Sequence, residues 1–197
     1  MSGARCPRPA ERRGALSVTL LRHGEARGGA RLRGRCDDPL SARGWAQLRR
    51  AVAGRRWARI VSSPRRRCLA FARWLGRRRG LPVAVDGRWA ELDFGAWDGH
   101  PLAELWAREG AALARFLADP WAHPPPGGET MAALEARVLA ALDALRRGPP
   151  GPVLVLTHGG VLRLLLARQR GVSPAALAVP PAACHRLTLP RHGPWPP

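Results

Sequence analysis

Residues 17–25 read SVTLLRHGE, and residues 153–160 read VLVLTHGG. Each stretch is an apolar run, typical of a buried strand, that ends in a His-Gly pair. If both strands belong to one parallel sheet, their carboxyl ends open onto the same crevice, which is where open α/β sheets bind ligands. The two stretches therefore predict an α/β fold in which His23 and His158, although far apart in the chain, share one pocket.

Strand-like and helix-like segments alternate along the rest of the chain, which predicts a sheet with helices packed on it. Ser41 is expected to cap one helix, and Ser63 followed by Pro64 is expected to begin another. Further helices are predicted over residues 102–117 and 130–147. The remaining strands are predicted at residues 59–62, 81–85 and 185–189.

Two segments are too rich in Gly or Pro for a regular element. Residues 90–99, AELDFGAWDG, are predicted to form a structured loop. Residues 120–128 form a Pro-rich stretch that could arch over the crevice, because long loops of this kind are often functional lids. A simple connector is an equally good interpretation of the same stretch.

The length and composition favour one domain. With 197 residues, the chain is long enough for a proper core, and we assign residues 16–190 to a single domain. Residues 1–15 are basic and Pro-rich and are predicted to be a disordered leader, and residues 191–197 a Pro-rich tail. Four cysteines without metal-ligand spacing indicate free thiols and a cytoplasmic location. No stretch reaches the ~20 apolar residues that span a bilayer.

The formal net charge of +19 raises the question of nucleic-acid binding. All 33 Lys and Arg positions are arginine, while Ala, Gly, Pro and Trp are abundant. Such a composition is typical of a strongly GC-rich coding bias, which raises the arginine content whatever the function. No nucleic-acid-binding module pattern is present in the sequence. We therefore expect a small phosphorylated metabolite as the partner, and neither nucleic acid nor a membrane.

The candidate site residues point to phosphoryl transfer. A strand that ends at His23, next to Gly24, holds an imidazole rigidly and leaves room for a ligand. Arginines at positions 22 and 65–67 indicate an anion site near a helix N-terminus. A neutral imidazole can attack phosphorus while arginines hold the oxygens, and Glu91 is the best candidate for the acid. Because these side chains supply the positive charge, no metal or other cofactor is expected.

Four motifs occur in the order seen in the histidine phosphatase superfamily, in its phosphoglycerate-mutase-like branch. They cover LRHGE, SSP with the following RRRC, ELDFG-x-WDG and THGGVLR, at residues 21–25, 62–68, 91–99 and 157–163. The compact length and the LDFG-x-WDG form most resemble the α-ribazole phosphatases of cobalamin biosynthesis and their broad-specificity relatives. The resemblance implies a three-layer sandwich, with a mostly parallel central sheet flanked by helices.

The resemblance also implies a role for each motif residue. His23 would be the nucleophile that becomes phosphorylated, and Glu91 the proton donor that later activates water. The phosphoryl oxygens would be held by Arg22, Arg67 and His158.

Two glycines and one departure from the family pattern complete this set. Gly34 and Gly159 fall where related enzymes bring the backbone close to the substrate. Many relatives place an asparagine six residues after the nucleophile, whereas this chain has Gly29. Backbone, water or an arginine such as Arg33 or Arg35 would fill that place.

Three functions stay open at this point. The first is a phosphoric monoester hydrolase of the histidine acid phosphatase type, acting on α-ribazole 5′-phosphate or on a broad range of small phosphomonoesters. The second is a phosphoglycerate mutase, although mutases of this superfamily usually have more substrate-covering sequence. The third is a basic nucleic-acid-binding protein on an inactive phosphatase scaffold.

Overall fold

A computed structural model describes residues 15–190 of the chain. Its sheet contains β1 (Ala15–Arg22), β2 (Arg59–Ser62), β3 (Val83–Val85), β4 (Val153–Thr157) and β5 (Cys184–Pro190), in the order β3-β2-β4-β1-β5. The first four strands are parallel, and β5 runs antiparallel to β1 at one edge. The two strands that end in His-Gly belong to one parallel sheet, as the sequence predicts, and the structure shows that they are direct neighbours.

Helices cover both faces of this sheet. They are α1 (Ala42–Ala51), α2 (Arg66–Arg79), α3 (Leu102–Ala118), α4 (Met131–Arg147) and α5 (Gly159–Arg170). Successive strand residues point to opposite faces, so Leu20 packs with the α3, α4 and α5 layer and Leu21 with the α1 and α2 layer. The predicted α/β three-layer sandwich with a mostly parallel sheet is confirmed.

The predicted start of α2 is wrong by two residues. The helix begins at Arg66, with Arg65 as its N-cap and without a side-chain cap of its own. The Ser63 hydroxyl lies 2.7 Å from a ring nitrogen of His158 and accepts the Arg65 N–H at 3.3 Å. The Arg66 N–H donates instead to the Asp37 carboxylate at 2.7 Å. An acidic residue from a distant loop thus supplies the negative charge that a helix N-terminus favours.

Other boundaries differ by a few residues. β3 is limited to Val83–Val85, shorter than the predicted strand over 81–85, and β5 extends beyond the predicted residues 185–189 at both ends. Ala15, which we assigned to the leader, begins β1. The rest of the predicted leader and the whole of the predicted tail lie outside the described residues.

The Pro-rich stretch packs against the predicted loop over 90–99. The Pro126 carbonyl accepts the Ala96 N–H at 2.9 Å. A Cβ on Gly95 would lie only 2.2 Å from the same carbonyl oxygen, and Gly95 has a φ of +53°, so glycine is required here. These contacts fit a packed connector that supports the loop carrying Glu91.

None of the helices within residues 15–190 is long and apolar enough to cross a membrane. Cys36 and Cys68 are free thiols, as the sequence predicts for them.

Two glycines allow α1 to approach the backbone beside the first histidine. A Cβ on Gly24 would lie 2.2 Å from the Gly44 carbonyl oxygen, and a Cβ on Gly44 would lie 2.1 Å from the Glu25 carbonyl oxygen. Both neighbours are backbone atoms, so neither can rotate away. The close packing of α1 fixes the turn that follows His23.

This contact generates a prediction for Gly44→Ala. Alanine in a helix is normally favoured over glycine by about 1 kcal/mol, but overpacking against backbone costs about 1–3 kcal/mol. We expect a net loss in the free energy of unfolding, measured by urea denaturation. Gly87→Ala is the matched control, because a Cβ there would meet nothing within 4 Å. Equal stabilities for the two variants would contradict the assigned close contact.

Candidate active site

The two predicted histidines lie together at the carboxyl ends of β1 and β4. Their ring centroids are 5.2 Å apart, with the ring planes inclined by 63°. His23 is 7% exposed and His158 is fully buried. The parallel pairing of β1 with β4 puts Arg22 opposite Thr157, and the histidine follows each of them directly. Adjacent strands thus produce the shared pocket.

The hydrogen bond of His23 determines which ring nitrogen is free. Its Nδ1 lies 2.7 Å from the Gly24 carbonyl oxygen. Because a carbonyl only accepts, Nδ1 must carry the proton, and Nε2 is left with an unprotonated lone pair. The ring is therefore oriented with Nε2 available as a nucleophile.

Ser63 orients the second histidine. Its Oγ accepts the Arg65 N–H, and it lies 2.7 Å from His158 Nε2. In the tautomer in which Nε2 accepts the hydroxyl proton, the ring proton of His158 lies on Nδ1. Nδ1 is buried and has no hydrogen-bond partner among the described residues. In this tautomer His158 can donate one hydrogen bond to a ligand.

Arg67 lies in the first turn of α2 and is fully buried. One terminal nitrogen donates to the Cys36 carbonyl at 2.8 Å, and the other donates to the Arg33 carbonyl at 2.7 Å. Its Nε is buried and lacks a partner within residues 15–190. The loop before α1 therefore holds the guanidinium in place and leaves one N–H unused.

Arg22 shows the same pattern. Its Nη1 donates to the Val179 carbonyl, while its buried Nε has no partner in the described part of the chain. A Cβ on Gly159 would lie 3.3 Å from the Arg22 Nε and Cζ atoms. Gly159 is therefore beside the arginine, in keeping with its predicted place near the substrate.

Together, the residues predicted to hold a phosphoryl group, Arg22, Arg67 and His158, each present a buried polar nitrogen without a protein partner. Buried polar groups in native structures are nearly always hydrogen-bonded, because an unpaired one costs about 1–3 kcal/mol. Three such nitrogens around one histidine indicate a site for an anion with several acceptor oxygens.

The surroundings keep both histidines neutral. Burial, together with the positive charges of Arg67 and Arg22, lowers the pKa of His23 to about 3. Burial also lowers the pKa of His158 well below its ordinary value, again with a contribution from Arg67. Burial lowers the pKa of Arg22. The nucleophilic form of His23 is therefore the one present at neutral pH.

Glu91 reaches the site from the loop over 90–99. Its carboxylate accepts the Gly160 N–H, at 3.0 and 3.1 Å to its two oxygens, and also the N–H of Leu92 at 3.0 Å. A Cβ on residue 160 would lie 2.4 Å from Oε1, so glycine is needed for this approach. The predicted proton donor thus contacts the N-terminus of α5 at Gly160, which follows His158 by two residues.

Gly34 borders the pocket that contains Glu91, and its amide is bound to a carboxylate. Its N–H donates to the Asp98 carboxylate at 2.8 Å, as do those of Arg35 and Cys36 at 2.6 and 2.7 Å. The amide is therefore not free for a substrate, although Gly34 does line a pocket of about 330 Å³ beside Glu91. Asp98 fixes the loop whose carbonyls hold Arg67.

The place of the usual asparagine is not filled by a free arginine. Arg33 donates to the Gly29 carbonyl at 2.7 Å and to Asp38 at 2.7 Å. Arg35 pairs with Asp93 at 2.5 Å. Both guanidinium groups stabilise the loops around the site.

Sequence reasoning missed Ser63, Asp98 and Gly160 as site residues. Ser63 was interpreted as a helix cap, although the serine precedes Arg67 in the same motif. Asp98 and Gly160 lie inside the quoted motifs ELDFG-x-WDG and THGGVLR, which was the available signal.

No group of three or more His, Cys, Asp or Glu side chains within residues 15–190 could hold a metal ion.

This geometry agrees with the comparison of the sequence with known families. Residues 18–195 match the histidine phosphatase superfamily (branch 1). The chain belongs to this superfamily, as its four motifs indicate.

Three relatives illustrate the range of similar proteins. Glucosyl-3-phosphoglycerate phosphatase of Mycolicibacterium vanbaalenii is 36% identical over 169 residues, covering 79% of this chain and 74% of the relative. A probable phosphoglycerate mutase of Yersinia enterocolitica is 33% identical, covering 88% and 80%. The crystal structure of the α-ribazole phosphatase of Shigella flexneri has a TM-score of 0.67 at 27% identity, covering 80% of this chain and 81% of that one.

The depressed pKa of His23 predicts a pH dependence of stability. The unfolded chain binds a proton at His23 below about pH 6.5, whereas the folded protein does so only near pH 3. The contribution of this pKa difference to the free energy of unfolding is complete above pH 6.5 and is lost as the pH falls towards 3. Between pH 7 and pH 5 this single group should lower the free energy of unfolding by about 2 kcal/mol.

Urea denaturation at the two pH values tests this. The wild type should lose about 2 kcal/mol more than His23→Asn over this interval. His123→Asn, which removes an exposed histidine, should behave as the wild type does. Identical losses in wild type and His23→Asn would contradict a neutral, buried His23.

Proposed function

We propose that this protein hydrolyses small phosphomonoesters through a phosphorylated His23. The superfamily assignment and the phosphatase relatives support a phosphatase as the coarse function. The observation that carries the proposal is the set of three unpaired, buried nitrogens on Arg22, Arg67 and His158. A phosphoryl group offers three equatorial oxygens, one for each unpaired donor.

The first step is transfer to the enzyme. Nε2 of His23 attacks phosphorus in line with the ester oxygen, and a P–N bond forms as the P–O bond breaks. Glu91 donates its proton to the departing oxygen, so the product leaves as an alcohol. Glu91 ends this step as a carboxylate, which the Gly160 N–H stabilises.

The second step is hydrolysis of the phosphohistidine. The Glu91 carboxylate removes a proton from a water molecule, whose oxygen forms a bond to phosphorus while the P–N bond breaks. Inorganic phosphate leaves, His23 regains its Nε2 lone pair and Glu91 is protonated again. The Arg22 and Arg67 donors stabilise the charge on the equatorial oxygens throughout, which is the task that Mg²⁺ performs in many phosphoryl transferases.

A mutase would use the same first step and return the phosphoryl group to the other hydroxyl of the product. It must therefore retain the bound alcohol and exclude water. The pocket of about 330 Å³ beside Glu91 is open to solvent, which supports access of water and hence hydrolysis. Product analysis with 3-phosphoglycerate separates the two activities, because a mutase yields the isomer and a phosphatase yields free phosphate.

The same pocket bears on the substrate. Arg65 lines it, and the buried Nε of Arg65 has no partner among residues 15–190. The unpaired guanidinium N–H of Arg65, in the pocket beside Glu91, favours an alcohol with a carboxylate or a similar acceptor. Glucosyl-3-phosphoglycerate, named for one relative, carries such a group. α-Ribazole 5′-phosphate, the substrate class of another relative, is the second candidate.

Phosphate release from a panel tests the proposal. The panel contains glucosyl-3-phosphoglycerate, α-ribazole 5′-phosphate, 3-phosphoglycerate and p-nitrophenyl phosphate. We expect the wild type to turn over at least one of them in excess EDTA. His23→Ala should lower kcat by about 10³-fold or more on every one, because the attacking group is missing.

The matched control is His185→Ala. His185 lies on β5, is partly exposed and is hydrogen-bonded to Gln169 of α5. It should retain wild-type turnover. Equal activity of His23→Ala and the wild type would overturn the proposal. Absence of wild-type turnover on all substrates, with nucleic-acid affinity that falls steeply with salt, would favour the basic binding protein instead.

A further inference from the structure

Arg137 on α4 uses every N–H of its guanidinium group. Nε donates to Glu129 Oε1 at 2.6 Å, and one Nη2 hydrogen is donated to Glu129 Oε2 at 2.7 Å. Nη1 donates to the carbonyls of Arg88 and Ala90, both at 2.8 Å, and Nη2 also donates to the Glu91 carbonyl at 3.0 Å. Five N–H donors thus meet five acceptors. Three of these acceptors are the backbone carbonyls of Arg88, Ala90 and Glu91, which lie in or just before the loop that carries Glu91.

Glu129 holds this arrangement from the other side. Its N–H donates to the Asp93 carbonyl at 2.9 Å, and its carboxylate accepts the Asp93 N–H at 3.3 Å. The side chains of Arg137 and Glu129 are only 22% and 16% exposed. A partly buried bidentate pair is stronger and more rigid than a surface ion pair. Residues 88–93 are therefore fixed to α4 on both sides of Glu91.

The Glu91 side chain needs this support. Its carboxylate can occupy only a small region, because it must accept the Gly160 N–H while staying within reach of the phosphoryl group on His23. A carboxyl group that donates a proton must lie within hydrogen-bond distance of the leaving oxygen. The loop itself is irregular between residues 90 and 94, so its own backbone hydrogen bonds do not fix it.

We infer that Arg137, braced by Glu129, is the positioning residue for the Glu91 proton donor. The inference rests on the proposed function, in which Glu91 protonates the leaving alcohol. Arg137 also lines the pocket beside Glu91, but each N–H of its guanidinium group is bound to a protein acceptor, so it acts by holding the loop and touches no reacting atom. Its loss should therefore impair the two proton transfers of Glu91 and leave the attack of His23 intact.

Leaving-group chemistry distinguishes this role from a general contribution to folding. An alkyl phosphate expels an alkoxide and depends on protonation, whereas p-nitrophenyl phosphate expels a stabilised phenolate and depends on it little. For Arg137→Gln we expect kcat/KM, which reports only the steps up to phosphorylation of His23, to fall by about tenfold or more on the best alkyl phosphomonoester of the panel. On p-nitrophenyl phosphate we expect kcat/KM to fall by less than about threefold.

Three further variants make the test specific. Glu91→Gln sets the reference, because it removes the donor itself and should show a larger loss with the same leaving-group dependence. Arg137→Lys keeps the charge but not the planar fork, so it should resemble Arg137→Gln. Arg168→Gln removes a similar, partly buried ion pair with Glu135 near the far end of α5 and should retain wild-type kcat on both substrates. If the Arg137 variants fail to fold, Glu129→Gln is measured in their place and should show the same selectivity.

The two ways of failing are distinguishable. Equal losses on both substrates in Arg137→Gln, beside selective loss in Glu91→Gln, would overturn the positioning role and leave the proposed function intact. Equal losses in Glu91→Gln itself would show that Glu91 is not the proton donor. That result would overturn the proposed mechanism, and the inference about Arg137 with it.

Discussion

The structure depends on one constraint: its active site buries positive charge and polar nitrogens. Some of those nitrogens have no protein partner among residues 15–190. Arg22, Arg67 and His158 each have at least one polar nitrogen bound to the scaffold and one buried nitrogen without a partner among residues 15–190. Leaving these nitrogens unpaired is costly, because burial removes their water and no protein acceptor replaces it. An anion with several oxygens removes the cost, so affinity for a phosphoryl group is a consequence of how the site is buried. Burial, together with the charges of Arg67 and Arg22, keeps His23 neutral and hence nucleophilic.

The rest of the molecule holds these groups still. The pairing of β1 with β4 sets the distance between the histidines, and the contact between Gly24 and Gly44 fixes the turn beside the first of them. The loop before α1 is tied to Asp98 through three N–H groups, and its carbonyls in turn hold Arg67. A site that must meet a transition state without rearranging needs support of this kind from surrounding hydrogen bonds.

Much of the fold and of the site was predictable from the sequence, because the spacing of apolar residues and the order of the motifs can be read directly from the chain. Two apolar runs ending in His-Gly were enough to predict two strands of one parallel sheet that open onto a shared crevice, and the motifs pointed to His23, Arg67, Glu91 and His158. The contacts of Asp98 and Arg137 with backbone groups were not predictable, because those groups lie in segments distant in sequence. The contact of Ser63 was missed because its partner, the His158 ring, is equally distant. The start of α2 was wrong for the same reason: Asp37 caps it from another loop, and Ser63 is engaged by His158.

The measurement that tests the central claim most directly is the location of the phosphoryl group during turnover. The wild type is mixed with its best substrate, quenched in alkali, where phosphohistidine survives, and mapped by mass spectrometry of its peptides. The account predicts phosphate on the peptide that contains His23, and none on the same peptide of His23→Ala. Phosphate on another residue, or turnover without any phosphorylated peptide in a quench fast enough to capture the intermediate, would contradict it.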